Sequence, residues 1–258
     1  MSVSFEERKK IIIEKLSKED VIHVPALAQA LNVSSETIRR DLDRLEKEGK
    51  LKKVYGGAVK VTSLIQEPSF EQKMQINPKE KEAISRTAAS LVEDGDRIFI
   101  GGGTTPLSLI RYLEDKKNVT LITPSIPVMI HTLEIFHGHV IFIGGEVNRE
   151  QQLVQGPLAE WTTKQIRANK AIISAGGVSL TDGITDFDLN QAHISRILIE
   201  RSEMTIILAD HSKMGQTTFA HICALQDVSI IVSDWRCSRE WRSKLHTEGV
   251  ELLLAEQQ

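Results

Sequence analysis

The sequence predicts a two-part α/β chain, a small helical head closed by a hairpin and then a larger, doubly wound α/β body. Three observations carry this. Up to about residue 61, apolar residues recur at helical spacing and give way to two short runs around glycines. From residue 77 onward, short apolar runs alternate with helical patterns, which implies a parallel sheet with helices on its faces. Between them, residues 62–76 are polar, follow no clear period and contain Pro68, so they read as a linker. A chain of 258 residues, 41% hydrophobic and 26% charged, has the length for one large and one small domain. That composition supports packed cores and excludes wholesale disorder.

The formal net charge of −3 is unevenly spread: residues 1–61 carry +3 and the remainder −6. The basic excess sits at Arg39, Arg40, Arg44, Lys47, Lys50, Lys52, Lys53 and Lys60. A cationic head on an acidic body predicts a polyanionic partner for the head alone. No apolar run approaches the roughly 18 residues that span a bilayer. The stretch from Met1 to Lys10 is charged and lacks a secretory pattern, so neither membrane nor export is expected. Cys223 and Cys237 have neither disulfide-framework nor zinc spacing, which fits a reducing cytoplasm.

In the head, Phe5, Ile12, Ile13 and Leu16 share a face of a first helix from Ser4 to Leu16. A short β-branched piece, 21–24, precedes Pro25, which suits the first turn of a second helix over residues 26–31. Asn32 and Val33 turn the chain. Ser34 is an N-cap and Glu36 lies in the first turn of a third helix that runs to about Glu48 and stops at Gly49. Two short helices joined by a tight turn make a helix-turn-helix over about 20–41. Ile38, Leu42 and Leu45 point to the core, leaving Ser35, Glu36, Arg39 and Arg40 on the opposite face. There an arginine can pair bidentately with guanine, while Thr37 and the serines suit phosphate or capping. Residues 51–54 and 58–61 around Tyr55-Gly56-Gly57 read as a hairpin wing, whose Lys52, Lys53 and Lys60 would neutralise backbone phosphate.

The stretch from Val33 to Leu42, with Thr37-Ile38-Arg39-Arg40-Asp41-Leu42 at its centre, followed by Leu45-Glu46, Gly49 and Tyr55-Gly56-Gly57-Ala58, resembles the winged helix-turn-helix signature of the DeoR family of bacterial transcriptional regulators. Family members more often carry His at the place of Tyr55. The resemblance implies a DNA-binding domain over 3–61, a linker over 62–76 and an effector-binding sensor domain over 77–258.

In the body, Asn77 can cap, Pro78 suits the first helical position and Glu80 the third. Ile84, Ala88 and Leu91 give that helix its buried side, and Asp94-Gly95 ends it. Apolar runs at 98–100, 119–122, 140–143, 171–173, 206–209, 228–232 and 250–254 read as buried strands. Ligands of such sheets bind beyond the carboxyl ends of the strands. There stand Gly101-Gly102-Gly103-Thr104-Thr105, Thr123-Pro124-Ser125, Gly144-Gly145, Ala175-Gly176-Gly177 and Ala209-Asp210-His211-Ser212-Lys213. A glycine turn with two hydroxyls before a helix favours an anion. Pro106 in place of the third glycine excludes a Rossmann fingerprint, and no Walker pattern occurs.

The body also resembles the DeoR-family effector domain, which is similar to ribose-5-phosphate isomerase in fold and binds phosphorylated sugars. Gly103-Thr104-Thr105, Gly144-Gly145, Gly156-Pro157, Gly183-Ile184-Thr185 and Asp210 to Gly215 carry the likeness. It implies effector contacts at Gly102, Gly103, Thr104, Thr105, Ser125, Thr185 and Lys213, and operator contacts at Ser34, Ser35, Glu36, Thr37, Arg39, Arg40, Lys52, Lys53 and Lys60. It further implies repression of a carbohydrate catabolic operon, relieved by a phosphorylated sugar; a cytoplasmic homo-oligomer without cofactor is expected, since paired half-sites multiply the limited affinity of one small head. Gly101 and Pro124 stand where the family commonly has Asp and Asn, which leaves the sugar open.

The alternative is a sugar-phosphate isomerase with a DNA-binding head. The turn at 175–179 carries no acid, and Asp182, Asp186 and Asp188 read as caps and helix-terminal charges. His131, His137 and His139 lack metal-ligand spacing. Trp161, Trp235 and Trp241 are expected to pack or to touch another subunit.

Overall fold

The computed structural model describes residues 5–18, 21–48, 50–54, 56–60 and 67–257. Ser4, Gly49, Tyr55, Val61 and residues 62–66 of the expected linker lie outside the described residues. The chain divides into two units, residues 1–66 and 67–258.

The first unit holds α1 (Phe5–Lys18), β1 (Val21–His23), α2 (Val24–Ala30), α3 (Ser35–Lys47), β2 (Leu51–Val54) and β3 (Gly57–Lys60). Pro25 sits in the first turn of α2, and Ser34 caps α3 by accepting from the Thr37 N–H at 3.1 Å. Ile38, Leu42 and Leu45 are fully buried with Ile12, Leu27 and Leu51. The strands form an antiparallel sheet ordered β1-β3-β2. Gly57 is required there, because a Cβ would lie 2.0 Å from the Ile22 carbonyl oxygen. Arg8 braces α1 against α3 by donating to both carboxylate oxygens of buried Asp41, at 2.6 and 3.1 Å.

The second unit opens with a departure from expectation. Residues 70–75, expected as linker, form α4 (Phe70–Gln75), because Ser69 and Gln72 close a capping box and Phe70 is buried. α5 (Pro78–Ala89) follows. Asn77 precedes it at φ 48° without capping it; its amide instead donates to Asp210 at 3.1 Å.

The chain continues through β4 (Arg97–Ile100), α6 (Thr104–Leu109), β5 (Thr120–Thr123), α7 (Ile126–Ile135), β6 (His139–Phe142), β7 (Glu146–Asn148), β8 (Leu153–Gln155), α8 (Pro157–Lys164) and β9 (Ala168–Ser174). It ends with β10 (Gly177–Ser179), β11 (Gly183–Asp186), α9 (Leu189–Glu200), β12 (Ser202–Leu208), β13 (Ala220–Cys223), β14 (Ile230–Asp234), α10 (Glu240–Thr247) and β15 (Glu251–Ala255). The seven apolar runs of the sequence are the strands of one sheet, ordered β15-β14-β12-β9-β4-β5-β6, every pair parallel. Alternate residues feed two cores: Ile98, Ile100, Ile172 and Ile206 on one face, Phe99, Ala171, Ile173 and Ile207 on the other. The small antiparallel groups β7-β8 and β10-β11-β13 were not legible as apolar runs. Chain order reverses between β4 and β9, which opens a crevice at their carboxyl ends. No helix among the described residues is long and apolar enough to cross a membrane.

Candidate functional site

Two sites follow from the two units. In the head, the face of α3 opposite the core presents Glu36, Arg39 and Arg40, with Ser35 and Thr37 half-buried beside them. The Arg39 and Arg40 side chains are 61% and 77% exposed, and each lies 3.6 Å from Glu36. That is too long for a hydrogen bond and worth little in water, so both guanidinium groups can exchange Glu36 for another partner. The Ser34 hydroxyl is committed to its cap and to Thr37, at 2.9 Å. Asp41, central to the sequence motif, serves Arg8 inside the head. On the wing, the Lys53 ammonium pairs with Asp43, and its backbone N–H donates to Glu46 at 2.7 Å. Lys52 and Lys60 take their places in the ladder, and their side chains lie outside what is described.

In the body, a pocket fills the crevice beyond β4 and β9, with about 920 Å³ of space, its open mouth included. Its floor is the turn Gly102-Gly103-Thr104-Thr105 leading into α6. Gly103 has φ 110°, and a Cβ there would lie 2.5 Å from the Ser174 hydroxyl. That hydroxyl donates to the Gly102 carbonyl at 2.7 Å, so the ends of the two strands are fastened to each other. Both threonines are nearly buried, and the Thr105 carbonyl accepts from the Ser85 hydroxyl at 2.8 Å.

Three lysines line the same pocket: Lys73 from α4, Lys81 from α5 and Lys213 from the loop after β12. Glu67, Asp186 and Asp210 line the same space, with Gln191 from α9. The Lys213 ammonium stands 5.6 Å from the Phe187 ring centroid. Burial lowers Lys81 to about 8, and Lys213 and Lys73 add to the shift while Asp210 opposes it. Burial raises Asp186 to about 7, with Glu67 adding and the Phe187 N–H opposing. The pocket therefore joins cations, hydroxyls and acceptor carboxylates, the donor and acceptor set a phosphorylated polyol needs.

Of the residues expected at the effector, Gly102, Gly103, Thr104, Thr105 and Lys213 line this pocket. Two do not. The buried Ser125 hydroxyl turns back to cap α7, accepting from the Val128 N–H at 3.5 Å. Thr185 faces the other side of β11, where its hydroxyl accepts from the Thr218 N–H and the Thr218 hydroxyl, both at 2.9 Å. Polar residues after a strand can cap or fasten as readily as bind, and here they do. Glu67, Lys73, Lys81, Asp186 and Gln191 were missed, the first two because their segment read as linker.

Among the acids weighed as catalytic, Asp188 caps α9 and Asp182 accepts from the Ser179, Thr181 and Thr217 hydroxyls, which holds its carboxyl below the usual range. Only Asp186 reaches the pocket. Asp210, His211 and Asp234 cluster closely enough to suggest a metal. Their atoms are already engaged: Asp234 accepts from the His211 and Arg236 N–H groups and contacts His211 Nδ1, while Asp210 accepts from Asn77 and Ser212. Trp241 packs against the core, whereas Trp161 is 64% exposed.

Comparison with known proteins matches residues 76–235 to the DeoR C terminal sensor domain and residues 8–64 to the DeoR-like helix-turn-helix domain. The chain is 37% identical to the HTH-type transcriptional regulator YulB of Bacillus subtilis, itself uncharacterized, over 88% of each chain. It is 30% identical to the HTH-type transcriptional repressor GlcR of Bacillus subtilis, over 98% of this chain and 97% of that one. Among solved structures it is similar to ribose 5-phosphate isomerase A of Methanocaldococcus jannaschii, at 18% identity and a TM-score of 0.38, over 52% of this chain and 53% of that one.

Proposed function

The chain belongs to the DeoR family of helix-turn-helix transcriptional regulators, and on that premise we propose that it represses a carbohydrate catabolic operon until a phosphorylated sugar fills its pocket. One observation carries the reading of the pocket: the Gly102–Thr105 turn and three lysines from separate elements meet where the sheet reverses order. The turn offers backbone N–H groups and hydroxyls to a phosphate, Lys81 and Lys213 supply charge, and Asp186 and Gln191 accept and donate to sugar hydroxyls. Arg39 and Arg40 read the operator in the major groove, with Ser35, Glu36 and Thr37 at the contact edge and the wing on the phosphate backbone. The protein works as a homo-oligomer, because paired half-sites multiply the affinity of one small head.

Repression agrees with the role named for the relative GlcR, a transcriptional repressor. A coupling of about 1–3 kcal/mol between pocket and head suffices for a 5- to 150-fold response. The test is a thermal-shift screen of the full chain against phosphorylated sugars with the free sugars as controls, followed by release of a duplex selected from a random pool. A stabilising phosphorylated sugar that leaves the duplex bound would refute the reading. Conversion of that sugar to a product would favour the isomerase alternative instead.

A further inference from the structure

Two of the three pocket lysines, Lys73 and Lys81, are satisfied from within the protein. Lys73 pairs with Glu67 and also donates to Gln151 at 2.8 Å, and Lys81 donates to the backbone carbonyl of Lys73. The second oxygen of Glu67 accepts from Gln191 at 3.1 Å. The Glu67 and Lys73 side chains are only 10% and 21% exposed, so their pair is shielded more than a surface ion pair. An anion that recruits Lys73 and Lys81 must displace these partners, and apart from Gln151 the displaced groups lie in residues 67–73.

That segment holds weakly by itself. A six-residue helix is far below the length that is stable alone. α4 is kept in place by buried Phe70, by the Phe70 N–H on the Glu150 carbonyl at 3.0 Å, by the Gln151 and Gln152 amides on the Pro68 carbonyl and the Glu71 carboxylate, and by the Lys81 bond to its last turn. Glu67 is also the first residue of the body, covalently next to the segment arriving from the head.

We infer that Glu67 is a built-in counter-anion: its carboxylate occupies the lysine that a ligand phosphate needs, and the ligand's arrival releases Glu67 and loosens α4. This rests on the phosphate reading of the pocket and adds the route by which occupancy reaches the junction with the head.

The experiment uses the full chain with inorganic phosphate as the probe. Calorimetry gives affinity, and hydrogen exchange over residues 67–76 reports α4. In the wild type, phosphate speeds exchange there. Glu67→Gln keeps the size of the side chain, so it should bind phosphate about tenfold tighter and show fast exchange before phosphate is added. Asp186→Asn controls for simple loss of negative charge; it can tighten binding but should leave exchange over 67–76 at the wild-type rate. A melting curve confirms that each variant folds, and Glu67→Ala repeats the test. If Glu67→Gln binds no tighter, or phosphate protects α4, the counter-anion idea is wrong while the pocket reading stands. If the wild type fails to bind phosphate, or binding survives Lys213→Ala and Thr105→Val unchanged, the pocket reading falls and takes this inference with it.

Discussion

The two units handle positive charge in opposite ways. On the head, Arg39 and Arg40 stand in water, loosely sharing one glutamate at 3.6 Å. In the body, Lys81 is 8% exposed and Lys73 is held by Glu67 and Gln151. Exposed charge costs little to redirect, suits a large polyanion, and makes binding depend on salt. Enclosed charge is tied to protonation and to internal partners, suits a small ligand, and makes binding depend on pH. A regulator that joins the two should respond to salt at one end and to pH at the other.

The most severe way to break this contrast is to unfold one side of it. Leu42→Ala empties a fully buried position of the small head core and should cost about 2–5 kcal/mol. Calorimetry of the variant should show the head transition lowered or absent, duplex binding lost, and the body transition with its phosphate response unmoved. Lys213→Ala removes a charge-assisted contact and should weaken phosphate binding by about 1.5–3 kcal/mol, with duplex affinity intact. Loss of duplex binding in that folded variant would show that the division of labour is wrong.

Arg39→Ala should cost about 1–3 kcal/mol of discrimination at one base position. Competition between selected and mismatched duplexes measures this, and equal losses on both would assign Arg39 to phosphate instead. Smaller is the pH effect. Lys81 loses its proton above about 8, and Asp186 gains charge as pH rises through about 7. Both disfavour an anion, so affinity for a phosphate monoester, already a dianion above its second pKa of ~6, should fall about tenfold between roughly pH 7 and 9. Lys81→Gln should bind more weakly and lose the upper part of that slope. Least affected is Lys53→Ala: its ammonium is already paired with Asp43, so duplex affinity should drop by at most about 1 kcal/mol, with a slightly shallower salt dependence.

What could be read from the sequence follows from how local each signal is. The seven sheet strands are apolar on both faces, so each announces itself without reference to its neighbours. Ser34 and the 38/42/45 spacing are likewise complete within one helix. The motif at 37–42 mixed two roles that only the fold separates: Arg39 and Arg40 face solvent, while Asp41 turns inward to Arg8. α4 did carry a local signal, Ser69 followed three residues later by Gln72, which Pro68 and the surrounding polarity outweighed. Lys73, Lys81, Asp186 and Gln191 come from four elements, and nothing in their spacing shows that they share a cavity. Ser125 and Thr185, expected beside the effector, lie outside the pocket for the complementary reason: a hydroxyl at a strand end does not say which way it turns.

The reversal of strand order also fixes when the molecule can finish itself during synthesis. The head's strand pairs all lie within residues 21–60, so it can close once it has left the ribosome. β4 has to wait for β9, about 70 residues later, before the centre of the sheet can close. Until then β4 presents an unpaired edge, and the nascent regulator can meet DNA before it can register a metabolite. A newly made copy is therefore deaf before it is mute.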